Sequence, residues 1–398
     1  MTSEHVPSER LVQEAEQILV RNQALTSADI VLRLRSAFPD ISPEVVGLAA
    51  ETATLRRTAL QKLGGWASEG IFSRALLEQA SRTAIAQHRA RFFEGCRHIL
   101  EIGTGTGADT AELARVVGHV TTVECDPQRC QVAQHNLRVQ GVSNVTFLCG
   151  DAQHEVATLD LSSFDGLFAD PARRTRDGSR LRESDEYLPP LSWLLNIAII
   201  GVRAIKVSPG LWIDPQPGWT RQFVGFEDEC LEQTLWFGSS NTDSSVHLAD
   251  HDCTWIPSAN YQPTALASSL SGYLIEAHGA INRSQHLRSF FTEHGIHQVA
   301  PNVAYGISET RPRATPFLCA FSIVDSFPFN KQALSERVHS LGWTSRCEFK
   351  KRNYSGDLDL LRKDLHLPPH THDAPFGSIF IFPWRDTTWV VLTRRVCD

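Results

Sequence analysis

Three glycines and three acids in this chain are spaced to hold a ligand. Gly103, Gly105 and Gly107 lie in the run Glu101-Ile-Gly-Thr-Gly-Thr-Gly. Glycine at such places permits a tight turn and lets a ligand approach the backbone closely. The N–H groups that open the next helix are then free for that ligand. Glu124 ends the following apolar run, 23 positions after Glu101. A carboxylate there can accept both hydroxyls of a ribose. Asp126, followed by Pro127, reads instead as a helix cap. The set describes a nucleotide-type cofactor site. Gly103-x-Gly105-x-x-Ala108 also fits the loose dinucleotide fingerprint, so hydride transfer on a nicotinamide is a rival reading.

Two further acids extend the pattern. Asp151 follows Gly150 at the end of a third apolar run. Its carboxylate could accept from an adenine amino group while Ala152 offers a backbone N–H, or it could simply cap a helix. Asp170-Pro171 ends the next run. A carboxylate so placed, with nearby carbonyls, can hold an exocyclic amino group with its lone pair aimed at an electrophile. Held near-attack geometry is worth about 7–11 kcal/mol, and no metal is required.

These residues need a scaffold that brings them to one rim. From residue 97 onward, strand-like runs (99–102, 119–124, 144–149, 164–169, 202–207) alternate with helix-like ones (108–117, 127–140, 191–200). That order predicts an α/β, Rossmann-like, doubly wound parallel sheet. Right-handed crossovers put the strand carboxyl ends on one edge, where ligands bind. Before it, residues 8–93 read as helical, with starts at Thr26-Ser-Ala-Asp and Ser42-Pro-Glu, a stop at Gly64-Gly65 and a last helix over 73–93. Residues 222–226 and 231–237 read as two antiparallel strands about an acidic turn. Residues 270–398 read as an α+β unit, with a helix over 283–294 and strand-like stretches over 304–308 and 317–327. The expected divisions are a helical domain (1–93), a sheet domain (94–263), an α+β segment (264–345) and a C-terminal domain (346–398).

Composition narrows the setting. A 398-residue chain that is 42% hydrophobic can bury a large core. No apolar run reaches the roughly 18 residues of a spanning helix, and the start has no apolar signal segment. A soluble, cytoplasmic protein is expected, with no membrane partner. Nine cysteines lack Cys-x-x-Cys spacing. Cys125, Cys130 and Cys149 read as ordinary packing in a reducing compartment. The net charge of −7 argues against non-specific coating of nucleic acid. From Leu270 onward, however, 15 Lys/Arg face 12 Asp/Glu, or +3, which permits a polyanionic partner there.

With these residues in view, the stretch from His98 to Gly210 resembles a class I S-adenosylmethionine-dependent methyltransferase domain. The resemblance implies S-adenosylmethionine as cofactor. Glu101, Gly103, Thr104, Gly105 and Gly107 would cradle its methionine part. Glu124 with Cys125 would hold the ribose, and Asp151 with Ala152 the adenine. Asp170 and Pro171 would be catalytic, and Arg173 and Arg174 substrate-binding. More narrowly, Asp170-Pro-Ala-Arg-Arg174, Tyr187-Leu-Pro-Pro-Leu-Ser192, Lys206-Val-Ser-Pro-Gly210 and Phe349-Lys-Lys-Arg352 look like a bacterial group. In that group a ferredoxin-like piece and a THUMP-like domain follow the methyltransferase domain. That implies RNA as substrate and N-methylation of a base, of the guanine-N2 kind. Amino-methylating relatives carry Pro-aromatic where this chain has Ala172-Arg173. A guanidinium can stack on a base or hold a phosphate or carboxylate. The same departure motivates the alternative of an RNA-binding module with a silent methyltransferase domain.

Arg173, Arg174, Arg176, Arg180 and Arg182 form a dense group that reads as a phosphate-contacting loop or a solvated one. Lys350, Lys351 and Arg352 pose the same choice. Lys206 either points at the site or edges the sheet. His366, His370 and His372 lie in a loop-like stretch and are not expected to bind metal.

Overall fold

The computed structural model describes residues 9–22, 25–172, 186–212, 217–238, 244–258 and 265–396. The chain forms two compact units. One is Met1–Thr220 with Thr234–Thr242, the other Arg221–Gln233 with Asp243–Asp398.

The first unit begins with five helices: α1 (Glu9–Arg21), α2 (Ser27–Ala37), α3 (Pro43–Leu63), α4 (Arg74–Gln79) and α5 (Thr83–Arg91). Their starts follow local chemistry. Thr26 and Asp29 form a capping box on α2. Ser42 accepts from the Val45 N–H, and Pro43 sits where no donor is needed. The helix expected over 73–93 is in fact two, because Ala80 is extended between them (φ −59°, ψ 141°). Next to that break the Ser81 hydroxyl donates to Asp109.

Then come β1 (His98–Ile102), α6 (Ala108–Val116), β2 (His119–Glu124), α7 (Pro127–Val139), β3 (Val145–Cys149), α8 (Ala152–Ala157), β4 (Gly166–Ala169), α9 (Leu191–Leu195) and β5 (Val202–Val207). The strand order is β3-β2-β1-β4-β5, and all four pairings are parallel. The switch point lies between β1 and β4, as the doubly wound reading requires. β1 is buried at every position but His98, as a central parallel strand should be. Leu100, Ile102, Leu167 and Ile205 feed the core on one face; Ile99, Phe168 and Ala204 feed the other. This is the period-two alternation of strands. α9 stops well short of the expected residue 200, where Arg203 Nη1 lies 3.5 and 3.1 Å from the carbonyls of Leu195 and Ile197.

One expectation fails outright. Cys130 and Cys149 are joined in a disulfide, tying α7 to the end of β3. Nothing in their spacing marks them; parallel pairing of β2 with β3 brings them together.

Strands β6 (Trp219–Phe226) and β7 (Glu229–Phe237) contribute residues to both units, and β7 follows β5 in the sheet. The second unit adds β8 (Ser245–Leu248), parallel to β6, and β9 (Cys253–Trp255), antiparallel to β8; neither strand was expected. It continues with β10 (Tyr273–Ala277), α10 (Gly279–Arg283), α11 (Leu287–Glu293), β11 (His297–Ala300), β12 (Val303–Ser308), β13 (Leu318–Pro328), α12 (Lys331–Ser340), β14 (Glu348–Lys351), α13 (Leu358–Asp364), β15 (Ser378–Trp384) and β16 (Thr387–Arg395). Their seven strands run β11-β12-β10-β13-β16-β15-β14. The single helix expected over 283–294 is two short ones, separated where Gln285 takes a positive φ of 65°. No helix among the described residues is long and apolar enough to cross a membrane.

Candidate active site

Register places the candidate residues. Ile102 pairs with Val123 on one side and with Ala169 on the other. The residues that follow these three therefore emerge side by side: Gly103, Glu124 and Asp170. Gly103 has φ +92°, and a Cβ there would lie 2.4 Å from the Asp170 carbonyl oxygen. The glycine turn and the Asp-Pro segment thus touch, and only glycine fits the contact. Gly107, at φ +81°, packs against Leu137 of α7.

Glu124 is buried. Its Oε2 accepts from the Gly105 N–H at 3.1 Å and its Oε1 from the Asp126 N–H at 3.1 Å. The acid therefore orders the glycine turn while keeping lone pairs to spare. Cys125 is exposed beside it. Asp126 caps α7 through the N–H groups of Gln128 and Arg129, the cap role expected of it. Asp151 caps α8 by accepting from His154, so the capping alternative describes its contact in this structure; Ala152 opens that helix.

Glu101 lies beneath the turn with no exposed surface. Thr110 donates to its Oε2 at 2.6 Å. Its Oε1 has no hydrogen-bond partner among the described residues. Burial pushes its carboxyl up to about 8, against a partial offset from the Thr110 and Thr122 hydroxyls. Thr104 is buried, its hydroxyl 2.6 Å from that of Thr122.

Asp170 has a partner that the sequence only hinted at. Lys206, the penultimate residue of β5, donates to Asp170 Oδ2 at 2.8 Å and to Ser81 Oγ at 3.0 Å. Ser81 donates to Asp109 at 2.7 Å, and Arg89 of α5 also pairs with Asp109. Lys62 of α3 is pushed down to about 8, first by burial and then by Lys206 and Arg82 nearby. Ser81 and Asp109 went unread in the sequence. A lysine inside the apolar run Val-Arg-Ala-Ile-Lys-Val was the available signal, because buried lysines are rare without partners.

The Tyr187 and Lys206 motifs meet the Asp170 segment here. Ala172 and Leu188 form a two-bond bridge. The Ser208 N–H donates to the Tyr187 hydroxyl at 3.2 Å. Residues 173–185 lie outside the described residues, and with them Arg173, Arg174, Arg176, Arg180 and Arg182. Of the distal basic run, Lys350 and Arg352 pair with Glu276, and Lys351 donates to the Gly356 carbonyl. His370 is bound to Thr344 and Arg346.

The cradle fits the expected cofactor. It offers a bend with no side chain at three places, an acid beside it with lone pairs to spare, and a buried carboxyl with one oxygen unpartnered. Comparison with known proteins agrees. Residues 99–176 match the family described as methyltransferase domain, and residues 318–395 match the one described as THUMP domain-like. An uncharacterized S-adenosylmethionine-dependent methyltransferase of Mycobacterium tuberculosis is 27% identical over 357 residues, covering 84% of this chain and 92% of that one. A protein-L-isoaspartate O-methyltransferase of Thermotoga maritima is 40% identical over 73 residues, 18% of this chain and 22% of its own. The crystal structure of a putative methyltransferase from Porphyromonas gingivalis superposes with a TM-score of 0.71 at 20% identity, covering 99% of this chain and 100% of that one. The fold is that of methyltransferases, with a THUMP-like segment after the parallel sheet. The chain contains a methyltransferase domain, and its cradle suits S-adenosylmethionine.

Proposed function

We propose that the methyl acceptor is a nitrogen of a base in RNA, with guanine N2 the model chemistry. What carries the reading is the THUMP-like match at residues 318–395 in the same chain as a rim that ends in Asp170-Pro171. The domain divisions read from the sequence, including a ferredoxin-like piece over 264–345, belong to the same proposal.

When bound, the cofactor supplies an electrophilic methyl group on a sulfonium. The chain's own work is positioning. Gly103, Gly105 and Gly107 give the methionine part a close backbone approach, and Glu124 takes the ribose hydroxyls. Asp151 and Ala152 stand at the adenine end. Asp170, with part of its side chain exposed, accepts from the acceptor's amino group and aims its lone pair; Pro171 stiffens the segment that carries it. Arg173 and Arg174 hold the RNA. Such alignment supplies most of the acceleration in an in-line displacement.

The test is transfer of labelled methyl from S-adenosylmethionine to RNA taken from cells that lack the gene. Incorporation, with one modified nucleoside missing from those cells by mass spectrometry, is the expected result. Asp170→Ala should lower turnover by about 100-fold or more while S-adenosylhomocysteine still binds. Wild-type protein that binds cofactor but never labels RNA would overturn the acceptor. If it labels no other acceptor either, the silent-module reading takes over.

A further inference from the structure

Lys206 is 3% exposed, in a strand whose neighbours Ala204, Ile205 and Val207 are fully buried. An ammonium there is costly unless it is paired. The pairing has a direction. Ser81 gives its one hydroxyl proton to Asp109, so toward Lys206 it can only accept. Asp109 is fixed from its other side by Arg89, whose guanidinium lies 4.8 Å over the Phe168 ring. A chain of contacts thus runs Arg89, Asp109, Ser81, Lys206, Asp170. It begins among the N-terminal helices and ends at the rim. The Lys206 side chain is 4% exposed and that of Asp170 22%, so the ammonium lies behind and the carboxylate in front.

We propose that Lys206 is the positioning residue of the acceptor end, with Ser81 and Asp109 holding it in turn, so that Asp170 meets its ligand as a fixed carboxylate. This rests on the reading of Asp170 as the group that orients the acceptor. An unpaired carboxylate at that place would be free to rotate. The ammonium removes that freedom. It also makes the helical segment part of the acceptor site, although no helical residue before Ser81 belongs to a methyltransferase motif. Charged groups around the pair are Glu101 and Asp109, on β1 and α6, Arg89 on α5, Lys62 on α3 and Arg82.

The experiment compares full-length wild type with Lys206→Met, Lys206→Arg, Ser81→Ala, Asp170→Asn and the double variant Asp170→Asn/Lys206→Met. With RNA from gene-deleted cells as acceptor, Lys206→Met should lower kcat by about 100-fold and leave KM for S-adenosylmethionine within about threefold. Lys206→Arg should recover part of the rate. The double variant should be no slower than Asp170→Asn alone. A loss under about threefold, or additive losses, overturns the proposal. The second readout needs no acceptor. In protein labelled with 13C at the aspartate carboxyls, the Asp170 signal, assigned from Asp170→Asn, should shift and broaden in Lys206→Met and, to a smaller extent, in Ser81→Ala, as the carboxylate loses its fixed partner. A signal unchanged in both variants sinks the proposal even if RNA is methylated. A changed signal with no labelling of RNA sinks only the acceptor assigned above. If Lys206→Met does not fold, Ser81→Ala and Lys206→Arg carry both readouts.

Discussion

At the scale of single residues, two groups near the bend make opposite demands on their surroundings. Gly103 must have no side chain. Alanine there would set a Cβ against a backbone oxygen at 2.4 Å and hold a φ of +92°. We expect Gly103→Ala to lower stability by at least about 2 kcal/mol and to abolish cofactor binding, measured by urea unfolding and calorimetry. Glu101 must have its charge suppressed. Its carboxyl titrates near 8 when folded, against an ordinary value of 4.5. The folded state therefore holds the proton more tightly. The contribution is fully present below about pH 4.5 and is lost as pH rises toward 8. Glu101→Gln should remove that slope, so its stability advantage over wild type in the absence of cofactor should grow between pH 5 and pH 8. Chemical denaturation at the two pH values checks it; equal slopes in both proteins would count against a raised carboxyl.

Among the elements, the parallel strands could be read in advance because two of their signals are local. Apolar runs give the strand, and a terminal acid or glycine gives its end. Once β1, β2 and β4 are recognised as neighbours, Gly103, Glu124 and Asp170 must emerge together. What could not be read depends on contacts distant in sequence. Beside the break at Ala80, Ser81 donates to Asp109, 28 positions on, a contact that nothing within the run 73–93 announces. The strands β8 and β9 are three or four residues long, too short for periodicity to show. The disulfide is of the same kind. Cys130 and Cys149 close a loop with a sequence separation of 19, and chain-entropy arguments give such a crosslink about 3 kcal/mol. Reduction, or Cys149→Ala, should lower unfolding stability by up to that amount and loosen the segment between Glu124 and Asp151. Guanidinium melts with and without reductant measure the first, hydrogen exchange over 125–151 the second.

For the whole molecule, charge is the most informative coarse property. The chain carries −7, yet its last third is net positive. If that third meets RNA, binding should weaken by about tenfold or more between 50 and 200 mM salt; fluorescence anisotropy with labelled RNA would show it, and salt-independent binding would contradict it. The run Lys350-Lys351-Arg352 is a poor source of that affinity, since all three side chains already have partners within the fold. Sequence alone could not show this, because Glu276 lies more than seventy positions away from them.

The contact between the Gly103 α-carbon and the Asp170 carbonyl has a consequence for descent. Position 103 cannot drift by itself: a side chain gained there would force the backbone at 170 to retreat. Among diverged descendants of this gene residue 103 should stay glycine wherever the 170–171 segment keeps its path, and an alignment in which residue 103 varies while that segment stays fixed would speak against it.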